Sequence, residues 1–483
     1  MKSREQIFAY FNLGIFILSV ITDWYRVVIV VNFLLLIVML LDKMGRGIIL
    51  REIIALHTSF VCLLMPLIGY LYYTQDNHLA RIWVKYMLVP EADYFGFAAP
   101  ATIGFILLLC WPMSRKNEHD EGPGLQVVLN RAKDILKRMP MTGIYLMVFG
   151  IISVTFNGLL PVVIQFAFYL FFFAAFSGLL YVYYAPALKK KVLVLSIFAV
   201  IIFANALQSG MFTIIAYMSI TLISFFLVGR KISFLRKLSF FLIGLFLIFL
   251  LQSVKHGFRQ ETWSNNYEGN KASLFFSLIG KQFTERKAEP LQDAFFPIYV
   301  RGNQGFNVSL VMRRIPQQQD FDNGASLFIT IASSFVPRVF WTDKPEAGGK
   351  FNMSYYAGFT IEGWSTNVGP LGEAYGSFGV AGGIIYMMFL GFIIRWSYLV
   401  VFRIGYRIPL LLFWIPMIFY QITYSSETDT LQITNSIIKS ALFVWLLYKI
   451  WPGIFGVARN TFGTSKNAKR TLEREMTHSR HSV

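Results

Sequence analysis

The sequence predicts an all-α polytopic integral membrane protein with about 12 transmembrane helices and one large external loop between spans nine and ten. Three observations carry that expectation. Hydrophobic residues make up 55% of the 483 positions and charged residues only 14%, where a soluble domain carries roughly 25% charged residues. Twelve apolar runs approach the ~20 residues that cross ~30 Å of hydrocarbon. Lysine and arginine concentrate on alternate connections between those runs. The same composition excludes disorder, collagen and a small disulfide scaffold. Cys62 and Cys110 both fall in apolar runs, and the chain has no CxxC.

Taken in order, the runs are 8–22, 25–41, 52–73, 94–112, 142–156, 159–183, 192–206, 211–228, 238–253, 376–394, 408–424 and 434–451. The first follows Lys2 and Arg4 and so resembles a signal peptide. No small-x-small cleavage site follows it, only Asp23, Trp24, Tyr25 and Arg26, and it reads as a retained span. Gln208, Ser209 and Gly210 divide 192–228 into two spans joined by a tight outside turn.

With the N-terminus in the cytoplasm, 28 basic residues lie inside and 15 outside, 12 of the latter in one loop. Carboxylates run the other way, 9 inside and 17 outside. The net charge of +18 is therefore a topology signal and an attraction to an anionic inner leaflet. No aromatic-and-basic recognition module points to nucleic acid. The chain divides into a nine-span membrane domain (1–253), an extracytoplasmic loop (254–375), a three-span membrane domain (376–452) and a basic, disordered cytoplasmic tail (453–483). No internal repeat of the transporter kind is present.

Few ionisable residues fall inside spans. Glu52 and Lys439 read as lying near span ends, where side chains snorkel to the interface. His57, one turn into the third span, reads as a histidine hydrogen-bonded between helices. No HExxH, HxxE or DxD pattern marks a metal site, so no cofactor is expected.

The loop is richer. It holds Lys255, His256, Arg259, Arg286, Lys287, Arg301, Arg313, Arg314, Arg338, Lys344 and Lys350, interleaved with apolar stretches at 274–279, 295–300 and 327–332. Those stretches are too short to span and suit interfacial or re-entrant helices. Arginines beside such helices sit at headgroup depth, where bidentate phosphate contact is available. Lipid anchoring is the plain alternative for each. Pro337 and Pro345 break any helix around Arg338, Trp341 and Lys344. A glycine-rich entry into span ten follows, and its small residues allow close backbone approach to a helix or a ligand. Glu373 lies where loop becomes membrane, a costly position for a carboxylate unless it is paired or hydrated.

These residues resemble the O-antigen polymerase (Wzy-like) group, which polymerises oligosaccharide repeat units. The match is Pro337, Arg338, Trp341, Lys344 and Pro345, then Gly369, Gly372, Glu373, Ala374, Tyr375, Phe378, Gly379 and Gly382. It covers about 50 residues. Arg313 to Gly324 and Arg338 to Gly349 repeat an Arg-x10-Gly spacing seen in external loops of some members.

The resemblance implies a GT-C-like fold and a glycosyltransferase of the bacterial inner (plasma) membrane, with both termini cytoplasmic. It implies undecaprenyl-pyrophosphate-linked oligosaccharides as substrates, membrane lipid as surroundings, and a chain-length regulator protein as a possible companion. The leaving pyrophosphate gathers negative charge, which fixed cations stabilise. Arg338 is the first catalytic candidate, with Arg259, Arg301, Arg313, Arg314 and Lys344 as further phosphate ligands. Glu373, then His256, are candidates for the base that takes the acceptor's proton, and Glu373 has orientation of Arg338 as its other role. Trp341, Tyr355, Tyr356 and Trp364 are candidates for stacking on sugar faces, against ordinary interface anchoring, and Tyr375 is a candidate substrate-binding residue. An O-antigen ligase, joining the chain to lipid A core, is the nearest alternative. A lipid-linked oligosaccharide flippase is the alternative of another class.

Overall fold

The computed structural model describes residues 4–113, 120–210, 212–265, 267–284, 291–336, 340–346, 348–361 and 366–457. Those residues form helices and connections with no strand among them. Ten helices are long and apolar enough to cross a membrane, so the chain is an all-helical, multi-pass membrane protein.

The first helices follow the apolar runs closely. They are α1 (Arg4–Ile21), α2 (Tyr25–Lys43), α3 (Leu50–Tyr72), interrupted by a π-turn at Phe60–Leu64, and α4 (Glu91–Cys110). The sequence reading had no counterpart for α5 (Gly122–Arg138). Its buried residues Leu125, Val128, Leu129, Ala132 and Leu136 recur at helical spacing, with Lys133, Lys137 and Arg138 elsewhere on the helix. That is an amphipathic surface helix and not a span.

A tight hairpin follows, α6 (Thr142–Phe156) and α7 (Val162–Tyr184). A Cβ on Gly143 would lie 2.7 Å from the Gly178 carbonyl, and one on Gly150 would lie 2.7 Å from the Phe171 carbonyl. Small residues here let two helices touch along their backbones. The turn expected at 208–210 separates α8 (Lys191–Ser209) from α9 (Thr213–Leu227), with Gly210 left-handed at φ 65°.

Several helix limits differ from the sequence reading. The ninth span, α10 (Phe234–Arg259), continues into a π-turn to Ser264. Lys255, His256 and Arg259 therefore ride on the helix end and not on a loop. The loop-borne helices are α11 (Lys271–Thr284), α12 (Leu291–Gly302), α13 (Gln304–Arg314), α14 (Ala325–Phe335) and α15 (Lys350–Ala357). The three apolar stretches fall on α11, α12 and α14. Next, α16 (Gly369–Arg407) begins seven residues before the apolar run, and so contains Glu373 and Tyr375.

The glycine-rich entry serves helix packing. A Cβ on Gly391 would lie 2.3 Å from the Phe105 carbonyl, and one on Gly383 would lie 2.8 Å from the Phe97 ring. Gly379, at φ 67°, bends α16.

The eleventh run is not a straight helix. Residues 409–427 are a 3-10 turn (Pro409–Trp414), a short α-helix (Ile415–Phe419) and a second 3-10 turn (Gln421–Glu427). Pro409 and Pro416 deny backbone donors there, and the segment survives because it is buried. Trp414 is fully covered and donates to Tyr181 (3.1 Å).

The last helix, α17 (Thr430–Ile450), starts four residues before its apolar run. Lys439 is therefore mid-helix and not near an end. It lines a small cavity of about 40 Å³ with Gln421, Asn435 and Ser436. Glu52 does not snorkel either. It is 4% exposed and takes a hydrogen bond from Lys43 (3.0 Å).

That pair belongs to a buried ionic network at the end of the bundle away from the loop. Asp120 accepts from Lys43 (2.6 Å) and from Arg51 Nη2 (2.9 and 3.0 Å). Arg51 also reaches Glu5 (2.9 Å). Arg395 donates to the Trp111 carbonyl (3.1 Å) and feels the charges of Arg51 and Asp120. Three cations and three carboxylates thus tie α1, α2, α3 and α16 to the segment before α5.

Candidate functional site

At the loop end, charged side chains from distant parts of the chain meet around Glu427. This residue closes the second 3-10 turn, where Thr428 N–H and Oγ1 both donate to the Ser425 carbonyl (3.2 and 3.0 Å). Asp429 then caps α17 by accepting from Gln432 N–H (2.5 Å). Arg301 is placed by a corner. The α12 helix ends at Gly302, and Asn303 caps α13 by accepting from Phe306 N–H (3.1 Å). Tyr299 fixes the same corner by donating to the Lys85 carbonyl (2.9 Å).

Arg301 Nη2 donates to Glu427 Oε2 at 2.7 Å. His57 Nε2 lies 3.3 Å from Glu427 Oε1 and 3.2 Å from the Tyr217 hydroxyl, and its Nδ1 lies 3.1 Å from Ser426 Oγ. Tyr217 stacks on Tyr424 with ring centres 4.7 Å apart. Arg301 and His57 thus flank the Glu427 carboxylate from two sides. Glu427 in turn raises the Arg301 guanidinium.

Lys255 and Arg259 approach from α10. Lys255 feels the charges of Arg301, Arg259 and Glu427. Arg259 donates to the Gly210 carbonyl (3.0 Å), with its guanidinium 4.4 Å from the Trp263 ring centre. Three cations, one carboxylate and one imidazole share this corner. The Arg301 side chain is 46% exposed, so part of its five-donor fork faces outward.

Behind the corner lies a neutral-to-acidic brace. Glu373 is 1% exposed. Its Oε2 accepts from Thr430 N–H (2.9 Å) and Thr430 Oγ1 (2.5 Å), and its Oε1 accepts from Asn352 (2.5 Å). Asp429 Oδ2 accepts from Asn367 (3.0 Å) and Gly348 N–H (3.1 Å). Gln304 and Asn307 both donate to the Asn367 carbonyl (2.8 Å each). Glu373 and Asp429 thereby fix the turn that presents Glu427.

The other sequence candidates scatter. Lys344 donates to the Ser333 and Val336 carbonyls (3.0 and 2.8 Å), where a cation complements the C-terminus of α14. Arg314 donates to the Ser354 carbonyl (3.2 Å), and Arg313 is exposed. Tyr375 packs edge-on against Phe97 and Phe321. Tyr356 is buried and bonded to Ser377 (2.9 Å). Neither ring offers a face for stacking. Tyr355 stacks on Phe351, and Trp341 is half-buried. Gly324 and Gly349 are left-handed residues opening α14 and α15. Arg338, Pro337, Trp364, Arg286 and Lys287 lie outside the described residues, as does the side chain of His256.

Sequence reasoning missed Glu427. Its signal was the polar run Ser425, Ser426, Glu427, Thr428, Asp429 and Thr430 between two apolar runs. Among the described residues no group of three or more His, Cys, Asp or Glu is arranged to hold a metal.

Fold and site together define a multi-pass helical membrane protein with a cationic, histidine-containing corner at the end that bears its large loop. A family model described as a domain of unknown function (DUF8712) matches residues 127–450. The chain belongs to that family. The matched stretch includes Arg301, Glu373 and Glu427 and begins after His57. No curated protein and no solved structure matches the chain.

Proposed function

We propose that this protein polymerises polyprenyl-pyrophosphate-linked oligosaccharide repeat units at the outer face of the bacterial inner membrane. The observation that carries the reading is the contact of Arg301 and His57 with Glu427, with Lys255 in electrostatic range of Glu427 and Arg259 in range of Arg301. A leaving pyrophosphate needs fixed positive charge beside the membrane, and pre-set guanidinium groups supply it without reorganisation. In this reading the anomeric C–O bond breaks with its electron pair on the pyrophosphate, and the acceptor hydroxyl oxygen forms the new bond. His57, which meets Glu427 through Nε2 and Ser426 through Nδ1, is the base of the corner. Glu373, already bound to Thr430 and Asn352, is a positioning residue.

The resemblance adds Arg338 as a further cation and a GT-C-like plan of twelve crossings. Ten are the long helices, the eleventh is α9, and the twelfth is the broken segment 409–427. An even count puts both termini on one side, the cytoplasm by the basic-residue bias. Single cysteines at Asn265 and Asp320, in a chain lacking Cys62 and Cys110, are expected to react with an impermeant maleimide in intact spheroplasts. A cysteine at Ser465 is not, and labelling there alone reverses the orientation.

Activity is tested by deleting the gene. The deleted cells are expected to accumulate single, unpolymerised lipid-linked repeat units, and the wild-type chain to restore polymer. Full-length polymer that fails to reach lipid A core in the deleted cells would favour the ligase reading instead.

A further inference from the structure

A second group of cations lies at the opposite end of the bundle, where α7 and α9 finish and α8 begins. Its centre is the Tyr183–Tyr184 pair at the end of α7, with ring centres 5.1 Å apart. Both rings are locked. The Tyr183 hydroxyl donates to the Phe226 carbonyl (3.2 Å), and the Tyr184 hydroxyl donates to the Phe225 carbonyl (2.6 Å). Three cations from three elements close on this pair. Arg230 Nη2, from the turn after α9, donates to the Tyr183 hydroxyl (2.9 Å). Lys191 Nζ, at the start of α8, donates to the Tyr183 carbonyl (3.4 Å). Lys133 Nζ, on α5, lies 5.9 Å from the Tyr184 ring centre. The turn that carries Arg230 is itself pinned, because Gly229 N–H donates to the Gly45 carbonyl (2.9 Å).

Elsewhere in the fold such cations meet carboxylates, Arg301 at Glu427 and Arg51 at Asp120. Among the described residues none of Arg230, Lys191 and Lys133 pairs with a carboxylate, and the neighbouring Asp134 is taken by Lys137 (2.8 Å). The carbonyl ends of α7 and α9 favour nearby cations, but they use one donor of Lys191 and none of Arg230. An ammonium has three donors and a guanidinium five. Lys189 and Lys190, exposed just before α8, add to the same field. A basic bias at this end accounts for the number of cations, though not for three of them meeting on one locked tyrosine pair.

The ligand that fits has a negative headgroup and an apolar body. The cations sit at the start of α8, a peripheral span. Val192, Leu193 and Val200 on α8 are 73%, 55% and 68% exposed. Phosphate contact at the cluster and acyl contact along α8 together describe an acidic phospholipid, and basic pockets between span ends bind such headgroups. A free phosphate or a nucleotide makes no use of the apolar strip.

We propose that Arg230, Lys191 and Lys133 form a site for the phosphate headgroup of an acidic phospholipid, whose acyl chains lie along α8. The site stands apart from the polymerase reading and does not depend on it. The test uses the full-length protein, purified in neutral detergent and stripped of lipid. It is titrated with diphosphatidylglycerol, phosphatidylglycerol, phosphatidylcholine or inorganic phosphate. Native mass spectrometry counts bound lipid, and thermal unfolding is followed alongside. The two acidic lipids are expected to bind and to raise the unfolding temperature. Phosphatidylcholine and inorganic phosphate are not. Arg230→Gln combined with Lys191→Gln is expected to weaken acidic-lipid binding by about tenfold, the effect of two basic residues at a membrane surface. Lys133→Gln, on a separate helix, is expected to weaken it in the same direction, so poor folding of the double variant does not hide the result. Arg403→Gln combined with Arg407→Gln removes the same charge from the exposed end of α16 and is expected to leave binding intact. Equal loss in the two double variants means general attraction to a basic face and overturns the site. Stabilisation by inorganic phosphate equal to that by phosphatidylglycerol overturns the lipid assignment.

Discussion

On the polymerase reading proposed above, Arg301→Ala is expected to slow repeat-unit transfer by roughly 10²–10³, the loss associated with one pre-organised donor at a developing negative charge. Arg301 holds Glu427 with one arm at 2.7 Å and remains 46% exposed. The same side chain therefore serves the carboxylate behind it and an anion in front. Arg301→Lys should recover part of the rate, since an ammonium is a point charge and not a planar fork. The loss should fall mainly on kcat if the contact forms with the leaving group, and mainly on KM if Arg301 only gathers substrate. Wild-type rate in Arg301→Ala would shift the cationic role to Arg259 or Arg338.

Asp120→Ala is expected to give the largest loss of stability. Asp120 is buried between Lys43 and Arg51, and removing one partner of a buried pair leaves the other charges uncompensated, a cost of ~3–5 kcal/mol. Thermal unfolding in detergent should report it, with Lys137→Ala at the exposed Lys137–Asp134 pair leaving the transition unchanged. Burial pushes the Asp120 carboxyl up, but Arg51 and Lys43 dominate and hold it well below the usual aspartate range. A depressed folded-state value means that its contribution is complete above the unfolded value of ~3.9. It is lost only as pH falls through the lower folded value. Wild type should keep this contribution at pH 4 and above, and the gap to Asp120→Ala should stay constant from pH 8 to 5. A gap that closed on going from pH 8 to 6 would mean that the pair is not ionised in the folded protein.

The spans were legible because length and apolarity are one-dimensional properties of a helix in lipid. What failed was local. Helix ends carrying Lys255, Arg259 or Glu373 read as loop, because hydropathy falls before the backbone hydrogen bonds stop. The α5 helix escaped because its apolar face is diluted by Lys133, Lys137 and Arg138. Pro409 and Pro416 marked the broken segment, yet its apolar composition outweighed them. At the site, residue type picked out Arg259 and Arg301, which the structure brings within electrostatic range of each other. Lys344 and Tyr375, chosen on the same grounds, proved occupied by helix carbonyls and by core rings. His57 and Glu427 lie 370 positions apart, and no sequence spacing could pair them.

The broken segment has a further consequence for reach. A 3-10 turn advances ~2.0 Å per residue against ~1.5 Å in an α-helix. Thirteen of the nineteen residues from Pro409 to Glu427 are wound the tighter way. Added along its separate pieces, those rises make a path of about 35 Å, against about 28 Å for a regular α-helix of the same length. With the break at Tyr424, the winding of this stretch sets the register at which Glu427 reaches Arg301. Rewinding it as one regular α-helix would change that register with no change in any residue that touches either group.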